Sequence, residues 1–351
     1  MMPRRSSPNS DFSAPADLIR ASRTPSVHSA ASAANVTALS AESDPALLAQ
    51  LARLSNRITA ELPPEGDHVL IAEGVKLIRR DRCGVKHAAV ARPSIALVTA
   101  GEKSAMMLGT RWSYGCGAVF ICGVDLPDSF TVTKASPAKP LLGLAVDLEE
   151  TDVERALARL PERTAEAGRP HSIFLADSGL VGAFERLLDL RGSDAASKAL
   201  AGLVREEIAV RILASQGGRA LRTLFQTGTI ENRIRRSALW MRSHFRESFE
   251  ISDLAQTVGM SPATFYRHFK TVLTVSPRQY VKTLRLYEGR RLMIEHGLDV
   301  ARASYEVGYE SPNHFSREFK REFGDAPAKH VREAVSVLDG APVPETVPAA
   351  A

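Results

Sequence analysis

The chain has 351 residues, 44% of them apolar, and a formal net charge of +5. That length exceeds one ordinary core, so two domains plus tails are expected. No window approaches the ~18 consecutive apolar residues of a membrane helix, and the start has no apolar core for a secretory signal. Three cysteines, Cys83, Cys116 and Cys122, fit neither a disulfide framework nor a zinc spacing, which points to a reducing cytoplasm.

In chain order, residues 1–44 are rich in Ser, Ala and Pro and poor in aromatics, the composition of a disordered tail. Pro3, Pro8, Pro15 and Pro25 break any amphipathic transit helix there. Folding signals begin at Pro45, where Leu47, Leu48, Leu51, Leu54 and Ile58 recur at helical spacing. From His68 to Leu148 the texture becomes short apolar runs: "HVLIAEGVKLIRR", "PSIALVTAG", "SAMMLGT", "GAVFICGVDLP", "SFTVTKAS" and "PLLGLAVDLE". Gly, Pro and Asp separate them, which predicts a small antiparallel barrel or sandwich over residues 45–150. Residues 151–228 read as helical. Thr151 with Glu154 three residues on forms a capping-box pattern, and Leu200, Leu203, Val204, Ile208 and Ile212 make one stripe. That stripe is either core or a seam between two copies of the chain, and the pattern alone does not choose.

The last folded segment, 229–335, carries a repeat. "SPATFYRHFK" (Ser261–Lys270) returns fifty residues later as "SPNHFSREFK" (Ser311–Lys320), with Ser, Pro, Phe, Arg, Phe and Lys in common. Upstream of each copy lies a short apolar-patterned helix ended by a glycine, Gly259 or Gly308. Ser261 or Ser311 then stands at the N-cap and Pro262 or Pro312 at the first helical position. Helix, tight turn and helix make a helix-turn-helix. Phe265 and Phe269, like Phe315 and Phe319, fall on one face. The opposite face carries Ala263, Tyr266, Arg267 and Lys270 in the first copy, and Asn313, Ser316, Arg317 and Lys320 in the second. Arg pairs bidentately with guanine, Asn with adenine, and Lys neutralises phosphate, so these are residue types that read DNA. Between the copies, a helix from Pro277 to Glu295 would be roughly 28 Å long at ~1.5 Å per residue, against ~34 Å between successive major grooves on one face of the duplex. Charge agrees. Residues Thr229–Val335 hold 18 Lys and Arg against 13 Asp and Glu, while the remaining 27 basic and 27 acidic residues cancel. Residues 336–351 read as a flexible tail.

The stretches "DLAQTVGMSPATFYRHFK", "SPRQYVKTLRL" and "VGYESPNHFSREFKREFG" together resemble the DNA-binding domain of the AraC/XylS family of bacterial transcription regulators, over about Ile234 to Arg332. The resemblance implies two helix-turn-helix units joined by a helix. It implies base-reading positions at Ala263, Tyr266 and Arg267, and at Pro312, Asn313, Ser316 and Arg317. Three residues depart from the family pattern: Gly289 in place of Ala in the linking helix, at a helix cost of ~1 kcal/mol, Ala303 for a larger aliphatic residue, and His330 for Tyr. "EGVKLIRRDR", "PSIALVTAGEKSAMMLG", "GVDLP" and "LGLAVDLEE" are similar to the N-terminal domain of one subgroup, while Val85 to Ala91 departs from it. There the resemblance implies an α+β chain with a cupin-like effector domain. The partners it implies are double-stranded DNA, RNA polymerase, a small-molecule effector and a second copy. The competing expectation is a constitutive DNA-binding protein whose first half only dimerises.

Other chemistry is sparse. His68, His87 and His171 are scattered, with no His-x-His pair to hold a metal, and no cofactor motif appears. No nucleophile lies beside a base in a catalytic pattern, so an enzyme is not expected; Cys122 with His87 is the nearest approach. Cys116 and Cys122, in and beside "GCGAVFICG", are candidates for thiol sensing if either is a low-pKa thiolate, against the plainer reading of inert small side chains.

Overall fold

The computed structural model describes residues 34–35, 44–62, 68–72, 74–84, 86–107, 110–161, 170–190, 194–215 and 217–338. The expected first tail therefore lies outside the described residues apart from Ala34, Asn35 and Asp44, and the second apart from 336–338. Among the described residues, no helix is long and apolar enough to cross a membrane.

The first part is α1 (Pro45–Glu61) followed by β2 (His68–Ala72), β3 (Val75–Arg80), β4 (Lys86–Ala91), β5 (Ser94–Ala100), β6 (Glu102–Met107), β7 (Thr110–Gly115), β8 (Ala118–Cys122), β9 (Leu126–Lys134) and β10 (Leu141–Asp147), with β1 (Ala34–Asn35) ahead of them. Asp44 caps α1, accepting from the Ala46 amide at 2.9 Å, and Leu47, Leu51, Leu54 and Ile58 are buried along one face as their spacing predicts. One sheet runs β1-β7-β6-β9-β4, and the other runs β11-β8-β5-β10-β3-β2, with β11 at His171–Leu175. In the second sheet β10 pairs antiparallel with both β3 and β5, so Leu144 stands between Leu77 and Leu97, all fully buried. Side chains of both sheets meet in one core with α1.

Four strands were not anticipated: β1 falls inside the stretch expected as a disordered tail, where it pairs parallel with β7. β4 and β7 lie between the apolar runs, and β11 falls inside the segment expected to be helical, where it pairs with β8. The capping box at Thr151 is corrected too: α2 (Glu150–Arg159) starts before it, with Glu149 at the N-cap and no side-chain cap. The remaining helices of this region are α3 (Ser178–Asp189), α4 (Ala195–Ala214) and α5 (Arg219–Phe225). In α4 the expected stripe splits. Ile208 and Ile212 are core, whereas Leu200 and Leu203 are 48% and 60% exposed.

The last part is all helical: α6 (Ile230–His244), α7 (Ile251–Thr257), α8 (Pro262–Leu273), α9 (Pro277–Glu295), α10 (Val300–Glu306), α11 (Pro312–Phe323) and α12 (Pro327–Leu338). α12 extends into the stretch expected as tail. The first helical unit shares its core with the sandwich, since Ile234, Met241, Phe265, Phe269, Tyr280 and Leu284 belong to the same buried cluster as Leu97 and Leu144. The second has its own small core of Leu286, Met293, Ala303, Val307, Tyr309, Phe315 and Phe319.

Candidate nucleic-acid interface

Both units are built by the devices their sequences carry. α7 ends in a turn at Gly259 (φ 68°), and Ser261 then caps α8, its hydroxyl accepting from the Thr264 amide at 3.3 Å. α10 ends at Gly308 (φ 85°), and Ser311 precedes α11 without a side-chain cap bond. In α8 and α11 the paired phenylalanines are fully buried, with ring centroids 5.5 Å apart in each.

The opposite faces divide as follows. Ala263, Arg267 and Lys270 are exposed, and Tyr266 is half-buried against the shared core. In α11 Asn313, Arg317 and Lys320 are exposed, with Pro312 and Ser316 half-buried. Each helix thus presents one exposed Arg and one exposed Lys three residues apart. The helices differ in their support. Glu318, buried on α11, takes an ion pair from Lys282 of α9 at 2.6 Å and another from Arg321 at 2.7 Å. The Lys282 ammonium, with Arg321 adding to it, holds the Glu318 carboxyl below its usual range. The corresponding position in α8 is His268.

α9 is the connector, with Ser276 at its N-cap and Pro277 in its first turn. It lies against β4 and β9 of the sandwich. The Tyr280 hydroxyl, fully buried, donates to the Asp125 carbonyl at 2.8 Å, and Arg242 of α6 pairs with the Asp125 carboxylate. Burial pushes that carboxyl up, while Arg242 and Arg92 pull it back. Arg235 pairs with Glu150, donates to the Leu224 carbonyl at 2.9 Å, and stacks 4.3 Å over the Phe225 ring. α6 and α9 are therefore held to the sandwich through Asp125, and α6 to α2 and α5 through Arg235, as well as by apolar packing.

The three departures from the family pattern are accounted for by packing. A Cβ on Gly289 would stand 2.8 Å from the Phe315 ring, so the glycine is what allows α11 to approach α9. Ala303 is fully buried in the second core beside Val307 and Phe315, so its size sets how that core closes. His330 accepts from Arg290 at 2.9 Å and packs edge-on to Phe319 at 5.5 Å.

The cysteines run against the sensing expectation. Cys122 is fully buried, with its thiol donating to the Val124 carbonyl at 2.8 Å, and half-buried Cys116 donates to the Thr99 carbonyl at 3.1 Å. Burial pushes both thiols up, away from the thiolate that sensing chemistry uses. Cys83 is the exposed one. Among the described residues, no group of three or more His, Cys, Asp and Glu is placed to hold a metal. Sequence reasoning missed Asp125, Tyr280, Arg242 and Arg285. Their partners are far away in the chain, and no local spacing signals them.

Residues 72–220 match the family described as AraC-type transcriptional regulator N-terminus, and residues 254–333 match a helix-turn-helix domain family. The chain belongs to the AraC/XylS family of transcription regulators. It is 28% identical over 131 residues to the transcriptional regulator ExsA of Pseudomonas aeruginosa, covering 37% of this chain and 46% of that one. To the transcriptional activator RhaS of Escherichia coli it is 32% identical over 88 residues, covering 25% and 32%. The chain thus matches less than half the length of these curated relatives. In fold it is similar to ToxT of Vibrio cholerae, with a TM-score of 0.52 at 11% identity over 74% of this chain and 97% of that one. That likeness supports the order found here, a two-sheet β-rich part followed by an all-helical AraC-type part.

Proposed function

We propose that this chain is a sequence-specific transcription regulator that grips one duplex with both helical units and responds to a small molecule through its sandwich. The carrying observation is the pair of matching exposed faces. Arg267 with Lys270 and Arg317 with Lys320 stand opposite buried phenylalanine pairs, on units joined by a helix of 19 residues. The base-reading set is Ala263, Tyr266, Arg267, Pro312, Asn313, Ser316 and Arg317, with Lys270 and Lys320 on phosphates. Because the two faces differ, one protomer reads an asymmetric site of about 16–20 base pairs across two successive major grooves.

Selection of binding sequences from random duplexes, followed by footprinting, tests this. Two unlike blocks one helical turn apart are expected, with affinity falling steeply as salt rises. Protection of one groove only, or a strict need for an inverted repeat, would overturn it.

The effector reading rests on the family and on the neighbour's ligand, since one solved ToxT structure holds an unsaturated fatty acid. Small metabolites and fatty acids screened for a melting shift of the full chain test it. Exposed Leu200 and Leu203 on α4 favour a second reading, in which this half dimerises and DNA binding is constitutive. A chain whose melting no compound shifts, and which sediments as a dimer, would support that one. RNA polymerase as a contact and the cytoplasm as the compartment complete the proposal.

A further inference from the structure

α9 crosses from one helical core to the other within a few residues: Leu284 belongs to the first and Leu286 to the second. Arg285 sits between them and does not reach for an acid. Its guanidinium donates to three backbone carbonyls: Nε to Phe245 at 2.5 Å, Nη2 to Glu247 at 2.8 Å and Nη1 to Gly308 at 2.9 Å. Phe245 and Glu247 belong to the loop that enters the first helix-turn-helix, and Gly308 is in the turn of the second. One side chain on the connector thus ties the two units to each other. The backbones are close there. A Cβ on Gly308, which already has φ 85°, would run into the Arg246 carbonyl. Arg246 itself pairs with Glu288 at 3.0 Å, and the Phe245 ring packs against both cores.

We infer that Arg285 is the positioning residue that fixes the register between the two DNA-reading helices, and with it the spacing of the two sequence blocks one protomer accepts. The inference rests on the proposed reading of DNA by both units. The reason is geometric. Each base pair inserted between two blocks moves one of them by roughly 3.4 Å and turns it by about 34–36° around the duplex axis. Heads joined rigidly lose one set of contacts at the wrong spacing, while heads that swivel keep both. A guanidinium is suited to the clamp because its donors are held in one plane. Lysine has the charge but not the fork, and methionine has the stem alone.

The test uses the full chain and duplexes carrying the selected two-block sequence, with one or two base pairs inserted or removed between the blocks. For the wild type, a change of one base pair should cost at least about tenfold in affinity. Arg285→Met and Arg285→Lys should bind the native spacing more weakly but flatten the spacing profile, to less than about threefold per base pair. Their affinity for a duplex carrying a single block should stay at the wild-type value. A profile as steep as the wild type's in a folded variant overturns the assignment. If Arg285→Met fails to fold, Arg285→Lys decides by the same profile. If selection yields a single block only, the two-unit reading fails rather than the role of Arg285. The two failures are therefore distinguishable.

Discussion

On α8 and α11, neighbouring side chains are placed for opposite jobs, exposed or buried, and single substitutions separate them. Arg267→Ala and Arg317→Ala remove exposed groups that take part in no ion pair among the described residues. Each should weaken specific DNA binding by ~1–3 kcal/mol and leave the melting temperature alone. Phe319→Ala, two positions from Arg317 but fully buried, should cost ~3–5 kcal/mol of stability, in keeping with a large-to-small change in a packed core. Circular dichroism melts with binding isotherms on the three variants read both effects; an Arg317→Ala protein with normal affinity would remove that residue from the interface. Gly289 gives a sharper case, because local and tertiary reasoning disagree in sign. Helix propensity alone says Gly289→Ala gains ~1 kcal/mol. The added Cβ, however, would lie 2.8 Å from the ring of fully buried Phe315, and overpacking costs ~1–3 kcal/mol. Lower thermal stability of Gly289→Ala is therefore expected, and a more stable variant would show that the Phe315 ring yields.

Elements were legible where their signals are local. Ser261–Pro262 and Ser276–Pro277 start helices where caps belong, Gly259 and Gly308 end them, and the 19-residue connector has the ends its sequence predicts. The strands rich in Val, Ile and Leu were equally plain. β4, "KHAAVA", has little β propensity, β7, "TRWSYG", alternates aromatic with polar residues, and β11, "HSIFL", is five residues long among helical patterns. Nor does any spacing announce that β9 and β6 bring Asp128 and Lys103 into the sandwich. There Lys103 Nζ lies 4.6 Å from the Phe130 ring centroid and 5.2 Å from that of Tyr114. Burial pushes the Asp128 carboxyl up from 3.8 to about 6, with the Lys103 ammonium opposing it, and burial lowers Lys103 in turn. The sign follows from proton counts. Between about pH 4 and 6 the folded chain keeps a proton at Asp128 that the unfolded chain has lost, so this group's contribution to stability falls as pH rises through that window and is flat above it. Denaturant midpoints for the wild type minus those for Asp128→Asn should show that fall. A difference that rises with pH, or does not change, would place Asp128 in a more polar environment than its neighbours provide.

At the scale of the whole molecule, the sequence divides the chain at about residue 229, but the cores divide it elsewhere. Phe265, Phe269 and Tyr280 are continuous with the interior of the sandwich, whereas the second unit closes on seven buried residues of its own, from Leu286 to Phe319. Opening the first unit means breaking the Tyr280–Asp125 bond and the Arg242–Asp125 and Arg235–Glu150 pairs as well as apolar contact. Opening the second requires none of these. A ligand that changes the sandwich would therefore act on α8 through a shared core, and on α11 through α9, Arg285 and the Phe245–Gly308 contact region. Stability within one chain is uneven in this way when cooperative units differ in what they bury. Native-state hydrogen exchange on the full chain should accordingly show α11 amides opening at a lower free energy than α8 amides. Tyr280→Phe then separates the units. It leaves the buried Asp125 carbonyl without its hydroxyl donor, at ~1–3 kcal/mol. That loss should appear in the protection of α6 and α8 and not in that of α11. Equal losses in both recognition helices would mean that the helical part opens as one body, with the sandwich coupled to both heads alike.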